Sequence, residues 1–226
     1  PIFQSLLTGP GEPGARAVWL RRLMALHASA FQDRGGHLII KWSSVSGCYV
    51  QEILAAFPGV PAVFVHRDPV EVLVSCVEGK PKNARLLEPR HFAPHLRPVT
   101  MADVRAMPFA DLVAHFLASC CAHAAAADGL RRVDYRSLPD AVWTGLSDYF
   151  GLPAPDPGVL RALERRSKVD VKDPRGARRF LADSQRKHAS ATDEIRDLAR
   201  RVIQPELDRL AARHTLVPLT SGKSTR

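Results

Sequence analysis

Arg67 closes the apolar run "PAVFVHR", and a serine, Ser75, follows it eight residues later. Lys41 closes a second apolar run, "HLIIK", in the same way. A guanidinium and an ammonium at the ends of two strands suit one kind of chemistry, the holding of an anion, because both offer several N–H donors and a fixed positive charge. The residues after Arg67 strengthen that reading. Asp68 can cap a helix that begins at Pro69, and Glu71 falls three residues after the cap, as in a capping box. A helix N-terminus beside a guanidinium is a natural place for phosphate. Val70, Leu73, Val74 and Val77 form one apolar stripe at i, i+3, i+4 and i+7, which leaves Glu71, Ser75 and Glu78 on another face. A purely structural alternative stays open: Arg67 pairs with Asp68 or Glu71, and Ser75 is a small exposed residue.

The elements that must position these groups alternate in type. Residues 15–33 read as an amphipathic helix with Val18, Leu20, Leu23, Leu26 and Phe31 among its apolar positions, ended by Gly35-Gly36. "HLIIK" is too short for a helix and reads as a buried strand, followed by the turn "WSSVSG" and a helix from Tyr49 to Phe57. "PAVFVHR" is the next strand, and strand, helix, strand with short connections predicts a parallel α/β sheet. Ligands of such sheets bind at the carboxyl ends of the strands, where Lys41 and Arg67 stand. Residues 78–100 form a long Pro- and Arg-containing loop or lid. Residues 109–128 are a helix, "GLRRVDY" an edge-like strand, and residues 138–150, 157–166 and 192–214 further helices, with an irregular basic stretch over 167–180. His66 neighbours Arg67, but strand alternation turns it to the opposite face. His91 and His95 are four apart, yet Pro94 between them argues against a helical metal pair, and no metal is assigned.

Composition sets bounds on partners. The 226 residues suit one domain, 1–218, with a short tail at 219–226, and no run approaches the ~18 apolar residues of a membrane span. The first residue is proline, so the expectation is a processed start or a fragment. Four cysteines, Cys48, Cys76, Cys120 and Cys121, include no metal-type CxxC pair, which points to a reduced, cytoplasmic chain. The formal charge is +9, carried by 25 Arg and 7 Lys, a bias that suits fork-shaped recognition of phosphate or sulfate and is equally an arginine-rich composition without further meaning. Between Arg161 and Lys187 ten basic residues face four acidic ones, a stretch open to a polyanion, a nucleotide or water.

The segment Arg67, Asp68, Pro69 and Ser75 resembles the 3′-phosphate-binding motif of the sulfotransferases that use 3′-phosphoadenosine 5′-phosphosulfate (PAPS). "LIIK" resembles the preceding strand of that family, "AAFPGVPAVFV" the approach to the motif, and "VDYRSLPDAVWTGLSDYFGLP" a later strand and helix. The likeness covers roughly residues 36–153 and continues weakly to Phe180. It implies a three-layer α/β/α, P-loop-type domain with a parallel sheet, and transfer of a sulfuryl group from PAPS to a hydroxyl or amine of a small-molecule or peptide acceptor. No nucleic-acid or membrane partner is implied. By matched position Arg67 and Ser75 would bind the 3′-phosphate, Tyr135 would lie near the adenine, and Lys41 would stabilise the transition state. "DPRGARRF" resembles the late loop that closes on the 3′-phosphate, which would give roles to Arg175 and Gly176.

The family pattern is incomplete. Its P-x-S-G-T-T loop for the 5′-phosphosulfate is not among the 226 residues, so either the N-terminal strand and loop precede Pro1 or the protein does not hold the donor as the family does. Cytosolic members have Lys-Thr-His at the strand end where this chain has Lys41-Trp42-Ser43, which leaves the base unassigned. Gly222-Lys223-Ser224 resembles the end of a Walker A loop, but Val217 stands where the earlier glycine is needed. Two rivals therefore accompany the enzyme reading: a catalytically silent sulfotransferase-like interaction domain, and a P-loop phosphotransferase using Gly222-Lys223-Ser224.

Overall fold

A computed structural model of the protein describes residues 6–7, 9, 11–29, 36–79, 100–169 and 182–214. Most of the expected loop over 78–100, with His91 and His95, lies outside the described residues. So do Arg175, Gly176 and the Gly222-Lys223-Ser224 segment.

The centre of the fold is helix α5, Phe109–Ala125. Its small residues let neighbours approach closely, and Leu112, Val113, Ala114, Phe116, Ala118, Cys120, Cys121 and Ala124 are all buried. The elements before it are α1 (Pro13–Ser29), a 3₁₀ turn (Ser44–Tyr49), α2 (Val50–Ala56), strand β1 (Ala62–His66), α3 (Pro69–Glu78) and α4 (Met101–Ala106). After it come strand β2 (Leu130–Asp134), a π-helical segment at Val142–Leu146, then α6 (Pro157–Ser167), α7 (Ser184–Ser190), α8 (Asp193–Leu198) and α9 (Gln204–Arg213), with a π-helical segment at Ala199–Ile203 joining the last two. The main core sets Leu73 and Val74 of α3 against Val113 and Phe116 of α5, Leu20 of α1 and Ile195 of α8.

The architecture is α/β in the coarse sense. Among the described residues one sheet is present, a parallel pair of β1 and β2 in register His66↔Asp134 and Val65↔Val133. A parallel pair needs a long crossover, which α3 to α5 supply. Several expectations change. "HLIIK" is not a strand: residues 37–43 have no regular structure, and Leu38, Ile39 and Ile40 are 49%, 62% and 37% exposed. The physical reason is that this segment finds no ladder partner, and an apolar run without one has no cause to adopt strand pairing. In α1 the buried stripe is Ala17, Leu20 and Met24, whereas Val18 and Leu26 face water. Helix α7 is an addition, since the sequence reading gave no helix to residues 184–190.

Candidate anion-binding site

The site forms where β1 and β2 end side by side. Because His66 is paired with Asp134, the next residues, Arg67 and Tyr135, leave the sheet at the same level. The Arg67 guanidinium accordingly lies over the Tyr135 ring, 4.7 Å from its centre, a separation at which a cation is attracted to the ring face. Two residues that the sequence reading assigned to one ligand are thus in contact, although 68 positions apart.

Helix α3 starts as the sequence dictates, with one change. The Asp68 carboxylate accepts the Glu71 N–H at 3.1 Å, and Pro69 occupies the first helical position. Glu71 does not complete the reciprocal half of a capping box. Its side chain, only 5% exposed, accepts hydrogen bonds from Arg67 Nε and from the Ser184 hydroxyl. Burial would raise the Glu71 carboxyl, but these bonds outweigh it and hold the pKa below the usual carboxylate value.

The face of α3 that carries Glu71, Ser75 and Glu78 is covered by α7. Arg67 Nη2 reaches Asp183 Oδ1 at 2.9 Å, Lys187 Nζ reaches Asp183 Oδ2 at 2.9 Å, and Arg186 binds both oxygens of Glu78 at 2.8 and 3.1 Å. Burial would raise the Asp183 carboxyl too, yet hydrogen bonds from Lys187 and Arg67 bring it down to about 2. Arg136, at the end of β2, is held by Asp134 through contacts of 2.7 to 3.2 Å and leaves most of its surface to water. The residue that the parallel register sets beside Arg67 is Tyr135, and Arg136 is the next residue along the chain. Lys41 is exposed, in the irregular segment 37–43.

Charge balance decides what the cluster can accept. Arg67, Arg136, Arg186 and Lys187 face Asp68, Glu71, Glu78, Asp134 and Asp183. An entering anion must replace one of these carboxylates. Of the two that hold Arg67, Glu71 is buried and doubly held, whereas Asp183 is 39% exposed, so Asp183 is the more replaceable. Ser75 is half-buried on α3 and makes no hydrogen bond with Arg67. The structural alternative is correct as to Arg67: it pairs with Glu71, and also with Asp183.

One oxygen each of Asp68 and Glu71 and one nitrogen of His188 lie within 4.8 Å of one another. That donor set would suit a divalent cation, but the Glu71 oxygens already accept from Arg67 and Ser184, Asp68 caps α3, and Arg67 stands beside them. The grouping belongs to the hydrogen-bonded cluster around Arg67, with His188 Nε2 at 3.6 Å from Asp68 and 3.7 Å from Glu71. His66 is apart from it. Burial keeps its imidazole pKa below the ordinary value, and its Nε2 has no hydrogen-bond partner among the described residues.

The residues missed by sequence reasoning are Arg136, Asp183, Ser184, Arg186 and Lys187. A signal was present: Asp183 and Lys187 are spaced i, i+4, the spacing of a helical ion pair, immediately before the residues read as the last helix. No family model, curated protein or solved structure matches the chain.

Proposed function

We propose that the protein is a sulfotransferase-type domain that binds the 3′-phosphate of PAPS at Arg67 and passes a sulfuryl group to a hydroxyl or amine acceptor. The observation that carries the reading is the contact of Arg67 with Tyr135 at the joint carboxyl end of two parallel strands, beside the N-terminus of α3. Ligands of parallel sheets bind at that edge. In this reading PAPS supplies the sulfuryl group. Arg67 takes the 3′-phosphate in place of Asp183, the Tyr135 ring lies beside the adenine, and Ser75, Arg175 and Gly176 close around the phosphate. The finer architecture, three layers on a P-loop-type sheet, belongs to the same proposal. Lys41 serves the transition state, in a segment free of regular pairing that must move toward the sheet edge for that role.

A second reading rests on the same cluster. With Arg67 bound by Glu71 and Asp183, the motif can serve as an internal frame in a catalytically silent domain. Thermal shift with adenosine 3′,5′-bisphosphate, ATP and AMP separates the two. Ligand at 100 times its Kd stabilises by about 2.7 kcal/mol. We expect the bisphosphate to raise Tm well above AMP or ATP, and Arg67→Ala to abolish the rise. No response to the bisphosphate in the folded wild type overturns the proposal in favour of the silent frame. A preference for ATP favours a phosphotransferase that uses Gly222-Lys223-Ser224.

A further inference from the structure

We propose that Cys48 and Cys120 form a reversible oxidation site, a dithiol that hydroperoxides convert to a disulfide joining the 3₁₀ turn Ser44–Tyr49 to α5. The pair is independent of the ion cluster around Arg67. Both thiols are buried, Cys48 2% and Cys120 5% exposed, and their sulfurs are 3.7 Å apart. That gap is about 1.7 Å longer than a disulfide bond, so forming the bond requires the two side chains to turn toward each other. The turn is held close to the helix for a stated reason: residue 47 is glycine, and a Cβ there would meet Cys120 Sγ at 2.9 Å and Cys120 Cβ at 3.1 Å. The residues are 72 apart in sequence, so the bond would close a large loop.

The surroundings make the two thiols unequal. The hydrogen bond between the two sulfurs lowers the Cys48 pKa against the opposing effect of burial, while the same contact, together with burial, raises Cys120. The Ser119 hydroxyl stands 3.9 Å from Cys48 Sγ, and the Ser44 carbonyl 3.7 Å from Cys120 Sγ. In this proposal Cys48, the thiol of lower pKa, attacks first. Its sulfur takes one peroxide oxygen to give the sulfenic acid, and the other leaves as water or alcohol. The Cys120 sulfur then attacks the Cys48 sulfur, forms the S–S bond and expels water, so two thiols are oxidised and one peroxide O–O bond is reduced. Cys121 is adjacent in sequence, and burial raises its pKa to about 12. The bond would fix the turn that follows Lys41-Trp42-Ser43, and so restrict the segment that carries Lys41.

The test uses the folded full chain treated with hydrogen peroxide, with a thiol-blocking reagent added before digestion. Tryptic peptides run without reductant should contain one cross-link, between the peptide holding Cys48 and the peptide holding Cys120 and Cys121, with a mass loss of about 2 Da for the two hydrogens removed. The link should persist in Cys121→Ser, vanish in Cys48→Ser and Cys120→Ser, and reverse with dithiothreitol. The oxidised protein should melt higher by roughly 5–10 °C. Circular dichroism of each serine variant establishes that it is folded before it is scored. A link through Cys121 or Cys76 overturns the proposal, as does a Cys48–Cys120 link that forms only in urea, or peroxide treatment that leaves both thiols free or carries them to sulfinic acid without a link.

Discussion

At its carboxyl end β1 runs into Arg67 and a set of ion pairs drawn from α3, α7 and β2, while at its amino end Ala62 and Val63 border an apolar cavity of about 400 Å³ walled by Leu38, Ile40, Trp42, Phe57 and Phe150. The charged end has a directional partner for each of its principal groups, so a few hydrogen bonds fix its geometry. The apolar end has surface to spare: Leu38, Ile39 and Val60 are all about half exposed or more. Hydrophobic attraction is non-directional, and without a strand or side chain to fill the space it leaves those residues partly in water. One strand thus joins an end specified by several ion pairs to an end where, beyond the Tyr149 hydroxyl on the Ala62 backbone, the surroundings are apolar.

The largest effect should come from removing the group that organises the charged end. Glu71→Ala leaves Ser184 without its acceptor and Arg67 with only the more exposed Asp183. Hydrogen bonds to a buried charged group contribute about 1.5–3 kcal/mol, and an orphaned partner adds its own cost. We expect a loss of about 2–3 kcal/mol in urea unfolding, with Glu71→Gln losing less because an amide can still accept from Ser184. A loss below about 0.5 kcal/mol, the size typical of a surface substitution, would show that the charged end is not specified by its partners.

Acid should act on the same end next. The folded-state pKa of Asp183 is about 2 and that of Glu71 is lowered, whereas an unfolded Asp or Glu titrates near ~4. Both folded values lie below the unfolded ones, so the stability these groups contribute is fully present above about pH 5 and is lost as pH falls toward about 2. Tm measured from pH 6 to 2.5 should decline through this window, and Asp183→Asn should flatten the decline. An Asp183→Asn curve parallel to that of the wild type would remove Asp183 from the ion-pair account. Because Asp183 is more than a third exposed, screening should also make the decline shallower at high salt.

What was legible in the sequence divides along the same line. The cap at Asp68, the proline at the first helical position, and the burial of Leu73 and Val74 follow from short spacings, because each depends on residues within one or two turns. That Arg67 would have a carboxylate at Glu71 was open for the same reason. Asp183 was not legible as a partner: its contact spans 116 residues, and only the packing of α7 on α3 creates it. Arg136 was missed as part of the cluster because strand order, which brings the end of β2 beside the end of β1 through the His66↔Asp134 register, is not a local property. "HLIIK" misled in the other direction. Its composition suits a buried strand, but a strand requires a ladder partner that composition does not name.

The smallest effect is expected at Ile39, and it tests that last point directly. In a buried strand Ile39→Ser would remove a packed side chain and leave a hydroxyl to be satisfied, at a cost of about 2–5 kcal/mol by the usual scale of core truncations. The structure instead leaves Ile39 62% exposed in a segment without ladder bonds, so little contact is lost. We expect Ile39→Ser to change stability by no more than about 0.5 kcal/mol in urea unfolding, with an unchanged dependence on denaturant. A loss above about 2 kcal/mol would mean that residues 37–41 do pair beside β1 in solution. The amino end of the strand would then be as closely specified as the carboxyl end, and Lys41 would stand at the sheet edge with Arg67.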